Sequence, residues 1–164
     1  MNFQVIFLNT AVNGHSPIQV VEQTTGCGVG WINRFLDREY VRRLANKSLR
    51  IYAYNLLHFV RWWENVHHTG DIAEADLSES TLLDYLRFQS SQQPQPSAST
   101  INDRIAHADR AIRNEFPDAP CQIARGFHQS FPAAQADGPR PSASGHEQAS
   151  SQRAQAQHRA SLGR

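Results

Sequence analysis

The sequence predicts a mainly α-helical fold: a bundle of four helices with a short N-terminal β element and a disordered C-terminal tail. Three observations predict it. Apolar residues recur at three- and four-residue steps through the middle of the chain, two β-rich segments precede them, and Leu162 is the only large apolar residue after Pro132. With 164 residues, the chain has the length of one ordinary domain, or of one domain and a tail.

The N-terminal segment, residues 1–28, is predicted to be β-rich. Its two candidate strands are Phe3–Leu8 and Ile18–Val21, and Asn13-Gly14 between them is a turn signal. The connection is longer than two residues, so the pattern does not require a tight type I′ turn. The glycines at 26, 28 and 30 follow the second strand with a spacing unlike that of a phosphate-binding loop, so we interpret them as a flexible connector.

Two helices are predicted in the first half of the chain. The first is short and is indicated by its apolar residues Trp31, Phe35, Leu36, Tyr40, Val41 and Leu44. The second runs from about residue 48 to residue 66, and one face of it carries Leu49, Tyr52, Ala53, Leu56, Phe59, Val60 and Trp63. Ser48 is a candidate N-cap, and Gly70 lies just past the predicted end.

Two more helices are predicted after an acidic connection. In the third, Ser78 is the candidate N-cap, Leu77 is positioned to pack on Leu82, and Glu79 suits the positive end of the helix dipole. The prolines at 94 and 96 end this helix. The fourth helix ends before the prolines at 117 and 120, and its predicted core residues are Ile101, Ile105, Ala108, Ile112 and Phe116.

The composition excludes several classes of protein. There is no run of about 18 apolar residues that would form a transmembrane helix, and the N-terminus lacks the basic start of a secretory signal. Cys27 and Cys121 have no partners at metal-ligand spacing, and His67-His68 diverge on a helix, so we predict no metal and no cofactor. The chain is expected to be soluble and cytoplasmic, with residues 119–164 as a disordered tail.

The formal net charge of +1 conceals a separation of charge along the chain. From Arg34 to Arg61 there are seven basic residues and two acidic ones, whereas Trp62 to Leu86 contains six acidic residues and no lysine or arginine. Fifteen of the sixteen basic residues are arginine, whose forked guanidinium suits phosphate or carboxylate. Charge alone leaves two interpretations open: a footprint on a phosphate backbone, or a solvated face paired with the acidic stretch of the same bundle.

Three segments resemble a known family in the order that the family has them. Leu49 to Trp63 resembles the first core helix of the SAM-like, core-binding domain of phage integrases, the tyrosine recombinases. Leu77 to Leu86 resembles the second helix, and Ser97 to Ile105 resembles the opening of the last one. The lead-in around Trp31 to Asp37 is similar to that of recombinases related to transposon integrases, so the resemblance covers about Val20 to Asp118.

This resemblance implies that residues 29–118 close one side of a clamp around duplex DNA. In this family the chemistry belongs to a separate C-terminal domain with a tyrosine nucleophile and a His-x-x-Arg motif. All four tyrosines of this chain lie before Pro117, and its two His-x-x-Arg sequences, at His58 and His107, lie in the predicted DNA-binding helices. We therefore expect the DNA-binding unit of a recombinase that acts in DNA integration, truncated before the catalytic domain and not an enzyme on its own.

The candidate DNA contacts are the basic residues of the helices: Arg34, Arg38, Arg42, Arg43, Lys47, Arg50, Arg104, Arg110 and Arg113. Arg50 and Arg104 lie inside the matched segments, whereas the cluster from Arg38 to Arg43 depends on charge alone. The expected partners are double-stranded DNA and recombinase protomers, with no membrane and no small-molecule substrate.

A different class of function also fits the sequence. Tyr54 and Trp62 are the least easily buried aromatic residues of the second helix, so the bundle could be a protein-interaction module that docks a full-length recombinase or another partner through them. A complete enzyme is the third interpretation, and the absence of a C-terminal tyrosine argues against it.

Overall fold

The computed structural model describes residues 1–9 and 15–120 and has the mainly helical fold that the sequence predicts. In chain order the elements are β1 (Phe3–Phe7), β2 (Ile18–Glu22), α1 (Gly30–Val41), α2 (Asn46–His67), a 3-10 turn (Glu74–Asp76), α3 (Thr81–Ser90) and α4 (Ala98–Glu115). The turn predicted at Asn13-Gly14, and residues 121–164 of the predicted tail, lie outside the described residues. Within the described ranges, no helix combines the length and the apolar character needed to cross a bilayer.

The strands β1 and β2 form an antiparallel hairpin in which Phe3 lies opposite Glu22 and Phe7 opposite Ile18. The outer edge of β2 is covered by the side chain of Asn33, a residue of α1. Its Nδ2 donates to the Val20 carbonyl (3.0 Å) and its Oδ1 accepts from the Val20 N–H (2.8 Å), as a further strand would. One side of the hairpin is therefore closed by α1.

The helix α2 lies at the centre of the fold, where its apolar face packs against α1, α4 and the hairpin. Phe59 is fully buried and meets Trp31 of α1 and Tyr85 of α3 edge to face, with ring centroids 6.0 and 4.9 Å apart. The indole N–H of Trp31 donates to the Gly70 carbonyl (3.3 Å), so this buried donor is satisfied. The core is built from the periodic apolar residues of the sequence.

Two helix caps predicted at serines are wrong, by three residues for α2 and by two for α3. α2 begins at Asn46, so Ser48 lies inside its first turn rather than at its N-cap. α3 begins at Thr81, because the 3-10 turn first carries the chain to Leu77, which is buried. The Ser78 N–H then donates to Thr81 Oγ1 (2.9 Å), which is the reverse of the predicted cap.

The exposure predicted for Trp62 is wrong, whereas that predicted for Tyr54 is confirmed. Trp62 is only 6% exposed, because α3 covers it and places the Tyr85 ring centroid 5.0 Å from the indole. Phe59 lies against it on α2 itself, at 5.4 Å. Tyr54 is 44% exposed. A partner of the folded domain therefore has access to Tyr54 and not to Trp62.

Candidate nucleic-acid interface

Five of the predicted DNA contacts lie on α1, at its C-cap and in the last two turns of α4, and we call them the arginine face: Arg34, Arg38, Arg42, Arg110 and Arg113. The two arginines of α1 and the C-cap residue Arg42 repeat every four residues, which places them on one side of that helix. α4 packs beside α1 and contributes the other two. Helix packing thus assembles a basic surface from two distant segments of the chain.

Glu115, the last residue of α4, holds two arginines of α1. Its carboxylate lies 2.8 Å from Arg34 Nε and 3.1 Å from Arg38 Nη2. The Glu115 side chain is only 3% exposed, whereas those of Arg34 and Arg38 are 61% and 41% exposed. Arg38 also donates to the Asn114 carbonyl (2.9 Å), one of those that the end of α4 leaves without an intrahelical partner. The carboxylate therefore lies beneath its arginines.

Glu39 of α1 repeats this arrangement. Its Oε1 accepts from Arg42 Nη1 (2.9 Å), and its Oε2 accepts from Arg110 Nη2 (2.8 Å). The Glu39 side chain is 2% exposed, and both arginine side chains are about half exposed. Each buried carboxylate thus serves two arginines, so four guanidinium groups and two carboxylates leave two positive charges in excess.

Buried carboxylates restrict the freedom of these arginine side chains. A free arginine side chain carries about 2 kcal/mol of rotamer entropy, part of which is lost when a ligand fixes it. Four partly exposed guanidinium groups are already held by hydrogen bonds: Glu39 accepts from two of them, Glu115 accepts from Arg34, and the Asn114 carbonyl accepts from Arg38. A guanidinium has five N–H donors, so donors remain for a bidentate contact with phosphate. The arginine face therefore presents guanidinium groups that are held in place and keep N–H donors that an anion can use.

The acidic stretch from residue 62 to residue 86 does not neutralise this face. Within the described ranges, the carboxylates that pair with the arginines at 34, 38, 42 and 110 are Glu39 and Glu115. Arg113 lies 2.9 Å from Asp109, one turn earlier on α4. In the acidic stretch, Asp84 pairs with Arg87, its neighbour on α3. Pairing with the acidic stretch is therefore the wrong interpretation of the basic region, because α1 and α4 carry the partners themselves.

Aromatic and amide side chains lie next to the arginine face. The sequence analysis did not predict them as part of a site, and their helical spacing was the only signal for them. Arg110 Nη1 donates to the Tyr52 hydroxyl (3.0 Å), and the Tyr52 ring stacks on Phe35. The His107 ring centroid lies 4.1 Å from the Tyr52 ring centroid. The Nδ1 atom of His107 lies 2.7 Å from Asn55 Nδ2. Burial lowers the pKa of His107, so the neutral ring accepts from the amide. These groups extend the polar surface from α4 to α2.

The basic residues that lead from α1 into α2 differ from the arginine face: Arg43, Lys47 and Arg50. All three are exposed, and none has a carboxylate partner within the part of the chain that the structure describes. The Arg50 guanidinium carbon lies 5.1 Å from the Phe7 ring centroid and 5.7 Å from that of Tyr54. These residues therefore add three uncompensated charges.

Arg104 lies in a polar cluster that joins α2, α3 and α4. Its Nη1 donates to His58 Nε2 (3.0 Å) and lies 3.4 Å from Gln89 Oε1, while His58 Nδ1 lies 2.8 Å from the Tyr85 hydroxyl. Burial, together with the charges of Arg104 and Arg61, lowers the pKa of His58 to about 4, so its neutral ring accepts from Arg104. Burial also raises the pKa of Tyr85. Arg104 thus links three helices, which its sequence motif does not reveal.

The first His-x-x-Arg sequence does not form a common site. His58 faces Tyr85, whereas Arg61 donates from Nη2 to the Phe3 carbonyl (2.7 Å). Across residues 1–9 and 15–120, no group of three or more His, Cys, Asp or Glu side chains is arranged to hold a metal ion.

Fold and surface together define a small helical domain, with a β-hairpin, that displays exposed arginines over buried carboxylates. Comparison with known proteins assigns it to no family. No protein-family model matches the chain, and no match was found among curated proteins or solved structures. The functional interpretation therefore depends on the geometry and charge of the surface itself.

Proposed function

We propose that this domain binds duplex DNA through its phosphate backbone, as the DNA-binding unit of a tyrosine-type recombinase that acts in DNA integration and recombination. The observation that carries the proposal is the pairing of two exposed arginines with each buried carboxylate, Glu39 and Glu115. Each pair holds a partly exposed guanidinium over a buried carboxylate and leaves N–H donors for a phosphate.

The extent of the basic surface favours a polyanion over a small anion. Arginines at 34, 38 and 42 follow one side of α1 over two turns, and α4 extends the surface sideways with Arg110. Duplex DNA carries one negative charge for about every 1.7 Å of its axis, so an extended basic face releases several counterions when it binds. We infer that several phosphates are contacted at once.

The resemblance to core-binding domains supports the same proposal. Its three matched segments contribute α2, α3 and α4, and Ser97, which opens the last of them, caps α4 by accepting from the Thr100 N–H (3.1 Å). In this proposal the domain positions DNA, and the groups for phosphoryl transfer come from a catalytic domain. No catalytic role is assigned to a residue of this chain.

A salt titration tests the proposal. Binding of the whole chain to a fluorescent duplex of about 20 base pairs is followed by anisotropy. Between about 50 and 200 mM NaCl we expect roughly 100-fold weaker binding if about four phosphates are contacted, because each contact adds about 0.9 to the slope of log K against log salt. An affinity that is independent of salt, or no binding at about 20 mM salt, contradicts the proposal.

Single substitutions locate the binding surface. Arg34→Gln and Arg42→Gln each remove one arginine from a buried carboxylate that keeps its second partner, so the fold is preserved. Each should reduce the salt slope by about 1. The matched control is Arg87→Gln, because Arg87 is 69% exposed on α3 and lies off the arginine face. Equal losses in all three variants would assign binding to net charge rather than to the arginine face.

A further inference from the structure

Among the described residues, no strand pairs with the outer edge of β1, the side that faces away from β2. The Leu8 N–H donates to the Pro17 carbonyl (2.8 Å), which together with the register shows that the even-numbered residues of β1 bond to β2. The N–H and C=O groups of Val5 and Phe7 therefore point away from β2. Within the described residues they have no hydrogen-bond partner on that side. An edge of this kind can accept an added strand.

Exposed residues of α2 run beside this edge, and we call them the α2 stripe: Lys47, Arg50, Tyr54 and Arg61. Arg50 lies over the Phe7 ring at one end of β1, and Arg61 donates to the Phe3 carbonyl (2.7 Å) at the other. From Arg50 to Arg61 α2 rises about 17 Å, and from Phe3 to Phe7 β1 rises about 14 Å. The two arginines therefore bracket the open edge.

A groove of about 360 Å³ lies at the Phe7 end of this edge. Its walls are formed by apolar residues of the hairpin and by cations of α2, among them Phe7, Leu8, Pro17, Ile18, Lys47 and Arg50. Phe7 and Leu8 are 50% and 39% exposed, which is high for large apolar side chains. No carboxylate is among the described residues that line the groove. Its lining thus suits an apolar side chain next to a negative charge.

The charges of the α2 stripe indicate the kind of ligand that the β1 edge and the groove bind. Lys47, Arg50 and Arg61 have no carboxylate partner within the described residues, in contrast with the paired arginines of α1 and α4. Residues 121–164 of the chain carry five arginines and two acidic residues, so they have the wrong sign to occupy this surface. A DNA backbone would satisfy the cations and accept from the N–H groups of the edge, but it has no donors for the carbonyl groups of the edge and no apolar group for the groove.

We propose that the β1 edge and the α2 stripe bind an extended acidic peptide of a partner protein, which adds as a third strand beside β1. Its backbone pairs with Val5 and Phe7, and every second side chain faces the α2 stripe. Because residues i and i+4 of a strand are about 13 Å apart on one face, acidic residues at that spacing reach toward Arg50 and Arg61. An apolar residue beyond the Arg50 contact enters the groove.

The test uses the whole ¹⁵N-labelled chain and a synthetic capped peptide of seven residues. The peptide has glutamate at its first and fifth positions, leucine at its third and seventh, and threonine at the others. We expect titration to shift the amide signals of Val5 and Phe7 and to slow their hydrogen exchange. If these two amides do not shift at millimolar peptide, the proposal is overturned.

Two altered peptides separate strand pairing from simple charge attraction. A peptide that is N-methylated on the N–H groups facing β1 keeps its charge and loses its donors, so it should bind at least about tenfold more weakly. A peptide with lysine in place of glutamate should not bind, because like charges then meet at Arg50. Equal binding of the methylated and unmethylated peptides contradicts strand addition, and it does so without any change to the protein.

Protein variants, and a comparison with duplex DNA, identify the surface that binds the peptide. Arg50→Glu should weaken peptide binding at least about tenfold, whereas Arg87→Glu on α3 should leave it unchanged. Arg34→Gln should weaken DNA binding and leave peptide binding intact, which keeps this proposal separate from the DNA proposal. Two results overturn it: protection of the Val5 and Phe7 amides by duplex DNA but not by the peptide, or a concentration-dependent dimer of the chain alone in which the same amides are protected.

Discussion

The Glu39 Oε2 atom on α1 lies 2.8 Å from Arg110 Nη2 on α4, although the two residues are 71 positions apart in the chain. The contact connects the first helix of the bundle to the last. The same carboxylate also holds Arg42, so one buried acid fixes two arginines at the surface. Helix packing and the display of positive charge therefore depend on the same group.

Replacement of Glu39 by glutamine should destabilise the domain by about 1–3 kcal/mol. The amide is neutral, and its nitrogen cannot accept from an arginine, so the buried side chain at position 39 keeps only one of its two partners and turns its NH₂ group toward the other. Urea unfolding followed by circular dichroism measures the effect. The matched control is Glu79→Gln, because Glu79 is exposed and its replacement should change stability by less than about 0.5 kcal/mol. Equal midpoints for the two variants would show that the Glu39 pairs do not stabilise the bundle.

Trp62→Ala should reduce stability by about 3–5 kcal/mol, because a large side chain that is 6% exposed leaves a cavity against Tyr85 and Phe59. Tyr54→Ala should cost less than about 1 kcal/mol, since Tyr54 is 44% exposed. Thermal and urea unfolding of both variants give the comparison. A Trp62→Ala protein as stable as the wild type would place the indole at the surface, as the sequence indicated.

Stability should decrease as the pH falls from about 6.5 toward 4, because of His58. The pKa of His58 is lowered to about 4 by burial and by Arg104 and Arg61, so the unfolded chain takes up a proton in this range before the folded chain does. After allowance for solvent at this half-buried ring, the loss is about 1–2 kcal/mol. Above pH 6.5 the contribution is complete, and below pH 4 it changes no further.

The control for this pH dependence is His58→Gln. Glutamine can accept from Arg104 and donate to Tyr85 without titrating. Urea unfolding is measured for both proteins at several pH values, and the difference between wild type and variant should shrink from neutral pH to pH 4. A difference that is constant across this range would mean that His58 does not titrate with unfolding.

Ser97→Ala should destabilise the domain by about 1 kcal/mol, because the Ser97 hydroxyl accepts from the Thr100 N–H (3.1 Å) at the start of α4. Ser48→Ala should have little effect, since Ser48 lies inside the first turn of α2 and makes no cap. Chemical unfolding distinguishes the two. A larger loss of stability for Ser48→Ala than for Ser97→Ala would support the predicted N-cap at Ser48 instead.

Helical periodicity was sufficient to predict the elements of the bundle. The face from Leu49 to Trp63 repeats every three to four residues, and this pattern is a property of neighbouring residues, so it can be read without knowing the fold. The starts of α2 and α3 were less predictable. A serine caps a helix only where the incoming backbone is extended, and the 3-10 turn before α3 depends on the burial of Leu77.

The sequence by itself determined that the chain forms four amphipathic helices with arginines at four-residue steps along α1. Only the tertiary structure decided which carboxylates those arginines pair with. Glu39 and Glu115, rather than the acidic stretch before α3, became their partners, because α4 packs beside α1 and buries both carboxylates there. The burial of Trp62 and the exposure of the β1 edge could not be predicted from the sequence for the same reason. The spacing of residues along a chain is a local property, whereas the neighbours of a side chain depend on which elements pack together.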